Sequence, residues 1–278
     1  MRLKKIGVFH GTVARQRMPS KGKSYVQSQI HSIDMANQER LDVALVSRGY
    51  CDSRAQALRM ILAGEVKVNG HLADKASRTI KADDTLETRE KPKYVSRGGL
   101  KLEGALDAFG IVVEGLICAD IGASTGGFTD CLLQRGASRV HCFDVGTNQL
   151  AWKVRSDPRV IAREQFNARH LSPSDVGEPV ALAVMDLSFI SLTKVLPAVF
   201  SVLEPGGQVV CLIKPQFESE RADVGKGGII RDEAVRLAAV EKIQTFVHGL
   251  GQEWRGVIDS PITGTDGNHE YLAWIASY

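Results

Sequence analysis

From residue 94 onward, short apolar stretches alternate with longer amphipathic ones. The apolar stretches are four to seven residues long, as buried strands usually are, and helical periodicity fills the intervals. Strands that alternate with helices form a mostly parallel sheet covered on both faces. The pattern predicts an α/β fold with about seven strands. The predicted strands are residues 116–120, 140–144, 160–163, 180–186, 208–214, 255–258 and 271–275, and the predicted helices are 99–109, 129–135, 149–155, 192–203 and 232–249.

A different pattern, at residues 40–88, predicts a small α/β module. Ser53 has the position of a helix N-cap, with Gln56 three residues later as its capping-box partner. The alternating strand 65–68 leads into Asn69-Gly70, the dipeptide most typical of a two-residue hairpin turn. We further expect helix ends at Gly49 and Gly64, a strand at 85–88, and buried positions at 41, 44, 45, 57, 58, 61 and 62.

The positive charge is concentrated at the amino terminus. The 278 residues have a formal net charge of +3, from 35 basic and 32 acidic side chains. Residues 1–35 hold seven basic side chains and one acid, a balance of +6, so the other 28 basic and 31 acidic side chains balance at −3. Residues 1–35 also lack apolar periodicity, which predicts a disordered basic leader, with a transit peptide or a leader upstream of Met35 as alternatives. A charged linker around Pro92 separates the expected domains 36–90 and 91–278.

Composition excludes several classes of protein. The longest stretches without a charged side chain, 24–33 and 243–252, have ten residues, about half of what a membrane-spanning helix needs. The five cysteines are at least eleven positions apart, which gives neither a zinc-ligand spacing nor a disulfide framework. We therefore expect a protein of the reducing cytoplasm, with no membrane partner and no metal.

The most informative local segment is a glycine-rich turn at residues 120–128, between a predicted strand and a predicted helix. Its glycines allow the backbone to approach a ligand, and the start of the helix attracts an anionic group. The turn opens with Asp120, and the next strand ends in Asp144, whose carboxylate can accept both hydroxyls of a ribose. A leading acid, small residues and a ribose-binding acid are what a site for S-adenosyl-L-methionine needs, and this is the expected cofactor.

Other interpretations of this turn are weaker. It lacks the Gly-Lys-Ser/Thr ending of a Walker A loop and the glycine spacing of a dinucleotide site. The pattern Gly122-x-Ser124-x-Gly126 matches the nucleophile elbow of serine hydrolases, and Asp186 and His269 follow in the required order. That elbow normally follows several strands of its sheet, whereas this turn follows the first. A hydrolase and other nucleotide sites stay open as alternatives.

Four ionisable residues are candidates for chemistry at the edge of the sheet. Ligands of a parallel sheet bind at the carboxyl ends of its strands. Asp186 and Lys214 each directly follow an apolar strand, although such a residue can also be the solvated end of that strand. Glu270, just before the last strand, and Lys101, in the helix before the first, supply a second carboxylate and a second amine.

Several motifs, in one order along the chain, resemble the TlyA family, which is also labelled haemolysin A. That family comprises ribosomal RNA 2′-O-methyltransferases with an FtsJ-like catalytic domain. The module at 40–88 resembles the small RNA-binding domain of ribosomal protein S4, and the similarity as a whole spans residues 36–278. The motifs of the module are Arg40, Ser53-Arg54, Gly64 and Val68-Asn69-Gly70; those of the larger part are YVSRGGLKL at 94–102, the turn at 120–128, DVG at 144–146, DLSFISL at 186–192, LIKPQFE at 212–218 and GKGG at 225–228.

The resemblance implies a Rossmann-like S-adenosyl-L-methionine-dependent methyltransferase that modifies a ribose in ribosomal RNA. FtsJ-like enzymes use a Lys–Asp–Lys–Glu tetrad, and the matching residues are Lys101, Asp186, Lys214 and Glu270. A ribose 2′-hydroxyl is a poor nucleophile, so it needs a base or a strong hydrogen-bond acceptor beside it. Lys214 is the expected base, and the other three residues are expected to orient it and the hydroxyl.

The binding residues follow from the same comparison. RNA is expected to be bound by the small module, through phosphate contacts rather than base edges, and the expected partner is ribosomal RNA or a ribosomal subunit. The RNA-binding candidates are Arg40, Arg54, Arg59 and Lys67, and the cofactor-binding candidates are Asp120, Gly122, Ser124, Gly126, Asp144 and, at the adenine edge, Asn167.

Rival functions differ from this one in features visible in the sequence. An amine methyltransferase typically has Asn/Asp-Pro-Pro-Tyr/Phe, whereas residues 186–189 contain no proline. A cytosine-carbon methyltransferase needs a nucleophilic cysteine, but Cys211 lies inside a predicted strand. A membrane-active haemolysin and a catalytically inactive RNA-binding protein remain as alternatives. Against them stand the lack of a long amphipathic basic helix outside the leader and the presence of all four candidate residues.

Overall fold

The computed structural model describes residues 38–89 and 92–278. The chain divides between residues 91 and 92 into two compact units, each with its own apolar core. The leader expected at residues 1–35 lies outside the described residues.

Two short helices, α1 (Leu41–Ser47) and α2 (Arg54–Leu62), open the small unit. Ser53 is the N-cap of α2, as predicted, because its Oγ accepts a hydrogen bond from the Gln56 backbone N–H at 3.3 Å. The Gln56 side chain accepts from the Asp52 backbone N–H instead of from Ser53, so the capping box is displaced by one residue.

Helix α2 buries a different set of residues from the one expected. Leu58 and Leu62 were expected in the core, and this is wrong, since they are 44% and 71% exposed. Ala57, Met60 and Ile61 are buried instead. These three positions share one side of a helix with about 3.6 residues per turn, and positions 58 and 62 lie further round it.

Five short strands complete the small unit: β1 (Gln38–Arg40), β2 (Val66–Val68), β3 (His71–Leu72), β4 (Thr79–Lys81) and β5 (Leu86–Thr88). Strand β2 lies between β3 and β5, and β1 pairs with β4. The predicted hairpin turn is confirmed by φ values of 54° at Asn69 and 76° at Gly70, both positive as a type I′ turn requires. Strands β1 and β4 escape prediction because Ile80 is the only apolar residue in either.

The large unit is a seven-stranded sheet between helices. Its strands are β6 (Ile117–Ile121), β7 (Arg139–Phe143), β8 (Val160–Arg163), β9 (Val180–Met185), β10 (Leu203–Ile213), β11 (Glu253–Asp259) and β12 (Tyr271–Ala276). Its helices are α3 (Gly98–Phe109), α4 (Gly127–Gln134), α5 (Trp152–Arg155), α6 (Pro173–Val176), α7 (Leu196–Phe200), α8 (Pro215–Glu218) and α9 (Glu233–Gly249), with 3₁₀ turns at Ala168–His170, Leu192–Lys194 and Arg221–Asp223.

The order of the strands confirms the predicted Rossmann-like sheet. It is β11-β12-β10-β9-β6-β7-β8, and all seven predicted strands are present. The pairs from β10 to β8 are parallel, and β12 is antiparallel to both of its neighbours. The carboxyl ends of β10, β9, β6 and β7 therefore meet at one edge, where the amino end of β12 also lies.

Two predicted helices are shorter than the sequence pattern indicates. Of residues 149–155 only α5 is helical, because Ala151 is extended and its N–H donates to the Thr125 carbonyl at 3.0 Å. Residues 192–203 divide into a 3₁₀ turn and α7, since the helix restarts at Leu196, with Pro197 in its first turn, and Leu203 already belongs to β10. The first departure matters for the site, because it ties the segment after β7 to the glycine-rich turn.

Neighbouring residues of β6 face opposite sides of the sheet. Cys118 shares a core with Leu102 of α3 and Leu132 of α4, whereas Ala119 shares a core with Leu196 of α7 and Ile243 of α9. This alternation is the period-two geometry of a strand. Because both faces are apolar, polar side chains collect at the carboxyl edge.

Within residues 38–89 and 92–278, no helix has both the length and the apolar character to cross a bilayer. The same residues contain no group of three or more His, Cys, Asp or Glu side chains placed to hold a metal ion. All five cysteines are buried and unpaired as disulfides.

Candidate active site

The glycine-rich turn joins β6 to α4 at the carboxyl edge of the sheet. Gly122 has φ 86° and lies against the end of β9, where an added Cβ would be 2.6 Å from the Asp186 carbonyl oxygen. Ser124 also has a positive φ, 48°, which is uncommon outside glycine. This tight conformation makes the backbone of residues 122–125 part of a cavity wall.

Asp144, which directly follows β7, braces the turn. Its Oδ2 accepts from the Ser124 backbone N–H at 2.8 Å, and its Oδ1 accepts from the Gly146 backbone N–H at 2.7 Å. Each carboxylate oxygen has a second lone pair, so a carboxylate held in this way can still accept from two hydroxyls. Asp144 is partly exposed and lines a cavity beside the turn.

Two adjoining cavities, of ≈ 500 Å³ and ≈ 400 Å³, share Gly122, Ser124 and Asp186 in their walls. The smaller one combines apolar side chains with polar groups at its rim, as a nucleoside site needs. In the larger one, the buried side-chain oxygen of Gln216 has no hydrogen-bond partner among the described residues, so it can receive a polar ligand. These walls fit a cofactor with a nucleoside and an amino-acid part. The smaller cavity is lined by Phe143, Asp144, Val145, Phe166, Asn167, Leu187 and Ile190, among others.

The four predicted catalytic side chains line the larger cavity as two ion pairs. Lys101 Nζ donates to Glu270 Oε2 at 2.5 Å, and both residues are buried, at 8% and 4% exposed. Lys214 Nζ lies 2.6 Å from Asp186 Oδ1. It also donates to Ser188 Oγ at 3.0 Å. Two amines and two carboxylates thus face one space beside the turn.

The order of the strands explains this convergence. Asp186 and Lys214 follow the adjacent parallel strands β9 and β10, so they leave the sheet at the same edge. Glu270 precedes its strand, but β12 is antiparallel to β10 and pairs Tyr271 with Ile213, which brings Glu270 beside Lys214. Lys101 reaches the same edge from α3. Its ion pair with Glu270 joins residues that are 169 positions apart in the sequence.

Two predicted cofactor-binding residues do not line either cavity. Asp120 is fully buried beneath the turn, where its Oδ2 accepts from Thr129 Oγ1 at 2.6 Å. Burial raises the pKa of Asp120 to about 7, although the Thr129 hydrogen bond opposes this. Gly126 packs inward, since an added Cβ would meet Leu150 and Val154 at 3.0 and 3.1 Å. Both residues shape the turn from below. The strand–turn–helix pattern of the sequence does not show whether a residue of the turn supports it in this way or contacts a ligand.

Asn167 lines the smaller cavity and also makes a local turn. Its Oδ1 accepts from the Arg169 backbone N–H at 3.1 Å and caps the 3₁₀ turn that follows. An Asx turn of this kind holds the side chain in a fixed orientation. The two roles considered for this residue, in a turn and at a ligand cavity, are therefore compatible.

The predicted RNA-binding residues are all exposed on the small unit. Arg40 and Arg54 both pair with Asp42, at 2.9 and 2.8 Å, and their side chains are 50% and 62% exposed. The hydrogen bond from Arg40 is the main reason that the pKa of Asp42 falls to about 2, although burial opposes it. Arg59 and Lys67 are exposed on α2 and β2. Lys67 also lines a cavity of ≈ 270 Å³, together with Glu65, Glu87 and Arg89.

Phe189 is a cavity residue that the sequence analysis did not single out. It is 91% exposed, has φ 64°, and its ring lies 5.0 Å from that of Phe217. These rings also line another cavity of ≈ 840 Å³, whose wall includes three exposed cations. The available signal was an aromatic residue in the loop directly after Asp186. The cations are Arg169, Lys194 and Arg221.

The serine hydrolase alternative lacks its assembled triad. His269 is exposed and lines none of the cavities beside the turn. Asp186, the acid that the triad would require, pairs with Lys214 instead. A base held within hydrogen-bond reach of the nucleophile is the geometric test of that mechanism. Among the described residues, no histidine is placed to act as the base for Ser124.

Comparison with known proteins agrees with this geometry. The family model described as FtsJ-like methyltransferase matches residues 94–277, and that of the S4 domain matches residues 39–86. Hemolysin A of Brachyspira hyodysenteriae is 48% identical over 235 residues, which cover 84% of this chain and 98% of that protein. The 16S/23S rRNA (cytidine-2′-O)-methyltransferase TlyA of Mycobacterium tuberculosis is 45% identical over 243 residues, or 87% of this chain and 91% of that one.

A solved structure supports the same relationship. It is of a Streptococcus thermophilus protein that carries a hemolysin name, with 45% identity and a TM-score of 0.66. The match covers 87% of this chain and 89% of that chain. The resemblance drawn from the motifs is confirmed. The chain therefore belongs to the TlyA family of FtsJ-like methyltransferases.

Proposed function

We propose that this protein methylates a ribose 2′-hydroxyl of ribosomal RNA, with S-adenosyl-L-methionine as the methyl donor. The observation that carries the proposal is the convergence of the Lys101–Glu270 and Lys214–Asp186 pairs on one cavity beside the glycine-rich turn. The relative from Mycobacterium tuberculosis, a 16S/23S rRNA (cytidine-2′-O)-methyltransferase, points to the same reaction.

The residues around the turn divide the work of holding the cofactor. When bound, S-adenosyl-L-methionine supplies an electrophilic methyl group on a sulfonium. Asp144 is oriented by the Ser124 and Gly146 N–H groups and would accept from the ribose hydroxyls. Asn167 would contact the adenine edge, and the backbone of Gly122 and Ser124 would contact the methionine part, since these residues line the two cavities. Asp120 and Gly126 act indirectly, by shaping the turn.

The two ion pairs have different tasks in the transfer. Lys214 takes up the proton of the 2′-hydroxyl while the oxygen forms its bond to the methyl carbon and the carbon–sulfur bond of the donor breaks. Asp186, 2.6 Å away, stabilises the ammonium group that results. The more buried Lys101–Glu270 pair orients the hydroxyl. Alignment of the reacting atoms lowers the barrier, because it replaces a chance encounter with a fixed approach.

Both units take part in RNA recognition. The proposed domain boundaries are 36–90 for the small unit and 91–278 for the large one. Arg40, Arg54, Arg59 and Lys67 contact phosphates, so their contribution is electrostatic and weakens with salt. At the mouth of the active site, Phe189 and Phe217 offer aromatic faces, and neighbouring cations offer charge, a combination that suits unpaired nucleotides. The substrate is ribosomal RNA or a ribosomal subunit, which places the reaction in the cytoplasm.

The test is transfer of a tritiated methyl group from S-adenosyl-L-methionine to purified ribosomal subunits. A 2′-O-methyl group blocks alkaline cleavage of the neighbouring linkage, so the expected product is an alkali-resistant dinucleotide that carries the label. Label recovered on a base would refute ribose as the acceptor. No transfer to any subunit or free ribosomal RNA would favour the inactive RNA-binding alternative.

A further inference from the structure

Glu218 ends α8, four residues after Lys214, which lines the active-site cavity. Only 4% of the residue is exposed, and it lines none of the cavities described above. A buried carboxylate is unfavourable unless hydrogen-bond donors satisfy it. The donors that satisfy Glu218 come from the loop that follows β9, which is the loop that carries Asp186.

Two short hydrogen bonds join Glu218 to that loop. Oε2 accepts from Ser191 Oγ at 2.5 Å, and Oε1 accepts from the Leu192 backbone N–H at 2.7 Å. Ser191 is the N-cap of the 3₁₀ turn that begins at Leu192. Hydrogen bonds to an ionised acceptor are stronger than neutral ones. The carboxylate therefore fixes the far end of the loop to α8.

The same two segments meet a second time, inside the cavity. Lys214 immediately precedes α8, and its Nζ contacts Asp186 at 2.6 Å and Ser188 at 3.0 Å. Between this contact and the one at Glu218, Phe189 has a left-handed φ of 64°, a conformation that is strained for a bulky residue. A loop tied at both ends leaves Asp186 little freedom to move relative to Lys214.

A cation from α9 completes the surroundings of Glu218. Lys242 Nζ lies 3.6 Å from Oε2 and donates to the Glu218 carbonyl at 2.5 Å. Burial raises the pKa of Glu218, while the hydrogen bonds from Ser191 and Leu192 and the charge of Lys242 oppose the rise. Among the described residues, the polar contacts of Lys242 are with Glu218 and not with the loop after β9.

We propose that Glu218 is a positioning residue for methyl transfer. By tying the loop after β9 to α8, Glu218 sets the distance between Asp186 and Lys214. The inference rests on the proposed function, because it requires Asp186 and Lys214 to act on the same hydroxyl. Glu218 itself touches neither substrate nor cofactor. Its loss lets the loop drift, and a displacement of about 1 Å at reacting groups can lower a rate roughly 100-fold.

Four variants separate positioning from folding. Glu218→Ala removes both ties to the loop, and Ser191→Ala removes one of them. Glu218→Gln is the conservative variant, because its amide oxygen accepts from Leu192 and its amide nitrogen can donate to Ser191 Oγ. Lys242→Ala is the matched control, because it removes the cation but leaves both ties in place.

The experiment measures single-turnover methyl transfer to ribosomal subunits, S-adenosyl-L-methionine affinity by calorimetry, and thermal unfolding. For Glu218→Ala we expect the rate to fall about 10- to 100-fold while the cofactor Kd changes less than about threefold. Ser191→Ala should lose less, and Glu218→Gln and Lys242→Ala should keep most of the rate. If Glu218→Ala does not bind the cofactor, Ser191→Ala decides: a slower rate at unchanged affinity supports the proposal.

A purely structural role gives a different result. Glu218→Ala and Ser191→Ala would then unfold at lower temperature but transfer methyl at the wild-type rate per cofactor-binding site, and that outcome overturns the inference. An equal loss of rate in Lys242→Ala also overturns it. An inactive wild-type protein would instead refute the proposed function, and the inference with it.

Discussion

Charged side chains have contrasting surroundings in the two units. In the large unit, Lys101 and Glu270 are 8% and 4% exposed and pair inside a cavity. In the small unit, the side chains of Arg40 and Arg54 are 50% and 62% exposed and share the carboxylate of Asp42. The first arrangement confines charge within a small space, and the second presents it to solvent.

The contrast suggests that the enclosed charges serve catalysis and the exposed charges serve RNA binding. Charges enclosed at low dielectric interact strongly and in fixed directions, so they can orient a hydroxyl and manage its proton. Exposed cations are screened by salt and replace counterions on phosphate, which gives affinity without alignment. Loss of an enclosed charge should therefore lower kcat, whereas loss of an exposed charge should raise the KM for RNA.

The largest effect is expected when an enclosed pair is broken. Lys101→Ala leaves Glu270 buried without its cation, so we expect kcat to fall about 10²- to 10⁴-fold and the free energy of unfolding to fall by roughly 3 kcal/mol. Lys93→Ala is the control, since it breaks a more exposed pair, which Lys93 makes with Glu103 of the helix that carries Lys101. Methyl transfer and urea unfolding measure both changes. Equal, small effects of the two substitutions would show that enclosure does not matter.

A smaller effect is expected at Phe189, which is exposed but next to the enclosed charges. Stacking of a base on an aromatic ring contributes about 1–3 kcal/mol, so Phe189→Ala should lower kcat/KM for subunits about 5- to 150-fold. Its stability should not fall, because the ring is 91% exposed on a strained backbone. Trp152→Ala is the control, as Trp152 is 78% exposed but lines none of the cavities described. The comparison fails if both substitutions have the same effect on kcat/KM.

Substitution of a single exposed cation should change binding only modestly. Arg54→Ala should raise the KM for subunits a few-fold, leave kcat unchanged, and reduce the slope of log affinity against log salt by about one. Arg139→Ala is the matched control, because Arg139 is 47% exposed and also pairs with a carboxylate, Glu178. Filter binding at several salt concentrations gives the slopes. A reduced kcat in Arg54→Ala would contradict the separation of the two roles.

The smallest effect on activity is expected for Asp120, an enclosed carboxylate that pairs with no cation among the described residues. Burial raises its pKa from 3.8 to about 7, so its contribution to stability is full below pH 3.8 and is lost as pH rises through 7. Asp120→Asn does not titrate, and its free energy of unfolding relative to wild type should rise by about 2–3 kcal/mol between pH 5 and 7.

Denaturant unfolding at a series of pH values checks this expectation. Asp157→Asn is the control, because the Arg159 hydrogen bond lowers the pKa of Asp157 and keeps it ionised over that range. Its difference from wild type should therefore not depend on pH. A flat difference for Asp120→Asn as well would mean that Asp120 is not desolvated.

Most of the sheet could be predicted because its inner strands contain compact apolar runs between polar segments. The elements that escaped prediction lack such a signal: β1 is Gln-Glu-Arg and is held by pairing with β4, far along the chain. The helix expected at 149–155 shows the opposite error. Its helical pattern is real, but the Ala151 N–H bonds to Thr125 and holds the first residues extended. Long-range contacts of this kind override local preference.

The site was predictable where a residue's place in the chain determines its place in the fold. Asp186 and Lys214 end adjacent parallel strands, so the strand pattern alone brings them to one edge. Glu270 precedes its strand and reaches this edge because β12 is antiparallel, a direction that the sequence analysis did not predict; the family resemblance indicated only the residue. Asp120 was expected to contact the cofactor, but it lies beneath the turn, because the sequence does not show which side of a turn a side chain faces. Glu218 had no signal of its own, since its partners are set by tertiary packing.

The most direct test of the account is single-turnover transfer by Lys214→Ala on ribosomal subunits, with S-adenosyl-L-methionine affinity measured on the same preparation. If Lys214 handles the hydroxyl proton, the rate falls about 10²- to 10⁴-fold while the cofactor Kd changes less than about threefold. A variant that transfers methyl to the ribose at the wild-type rate would contradict the central claim that the paired charges beside the turn perform the reaction.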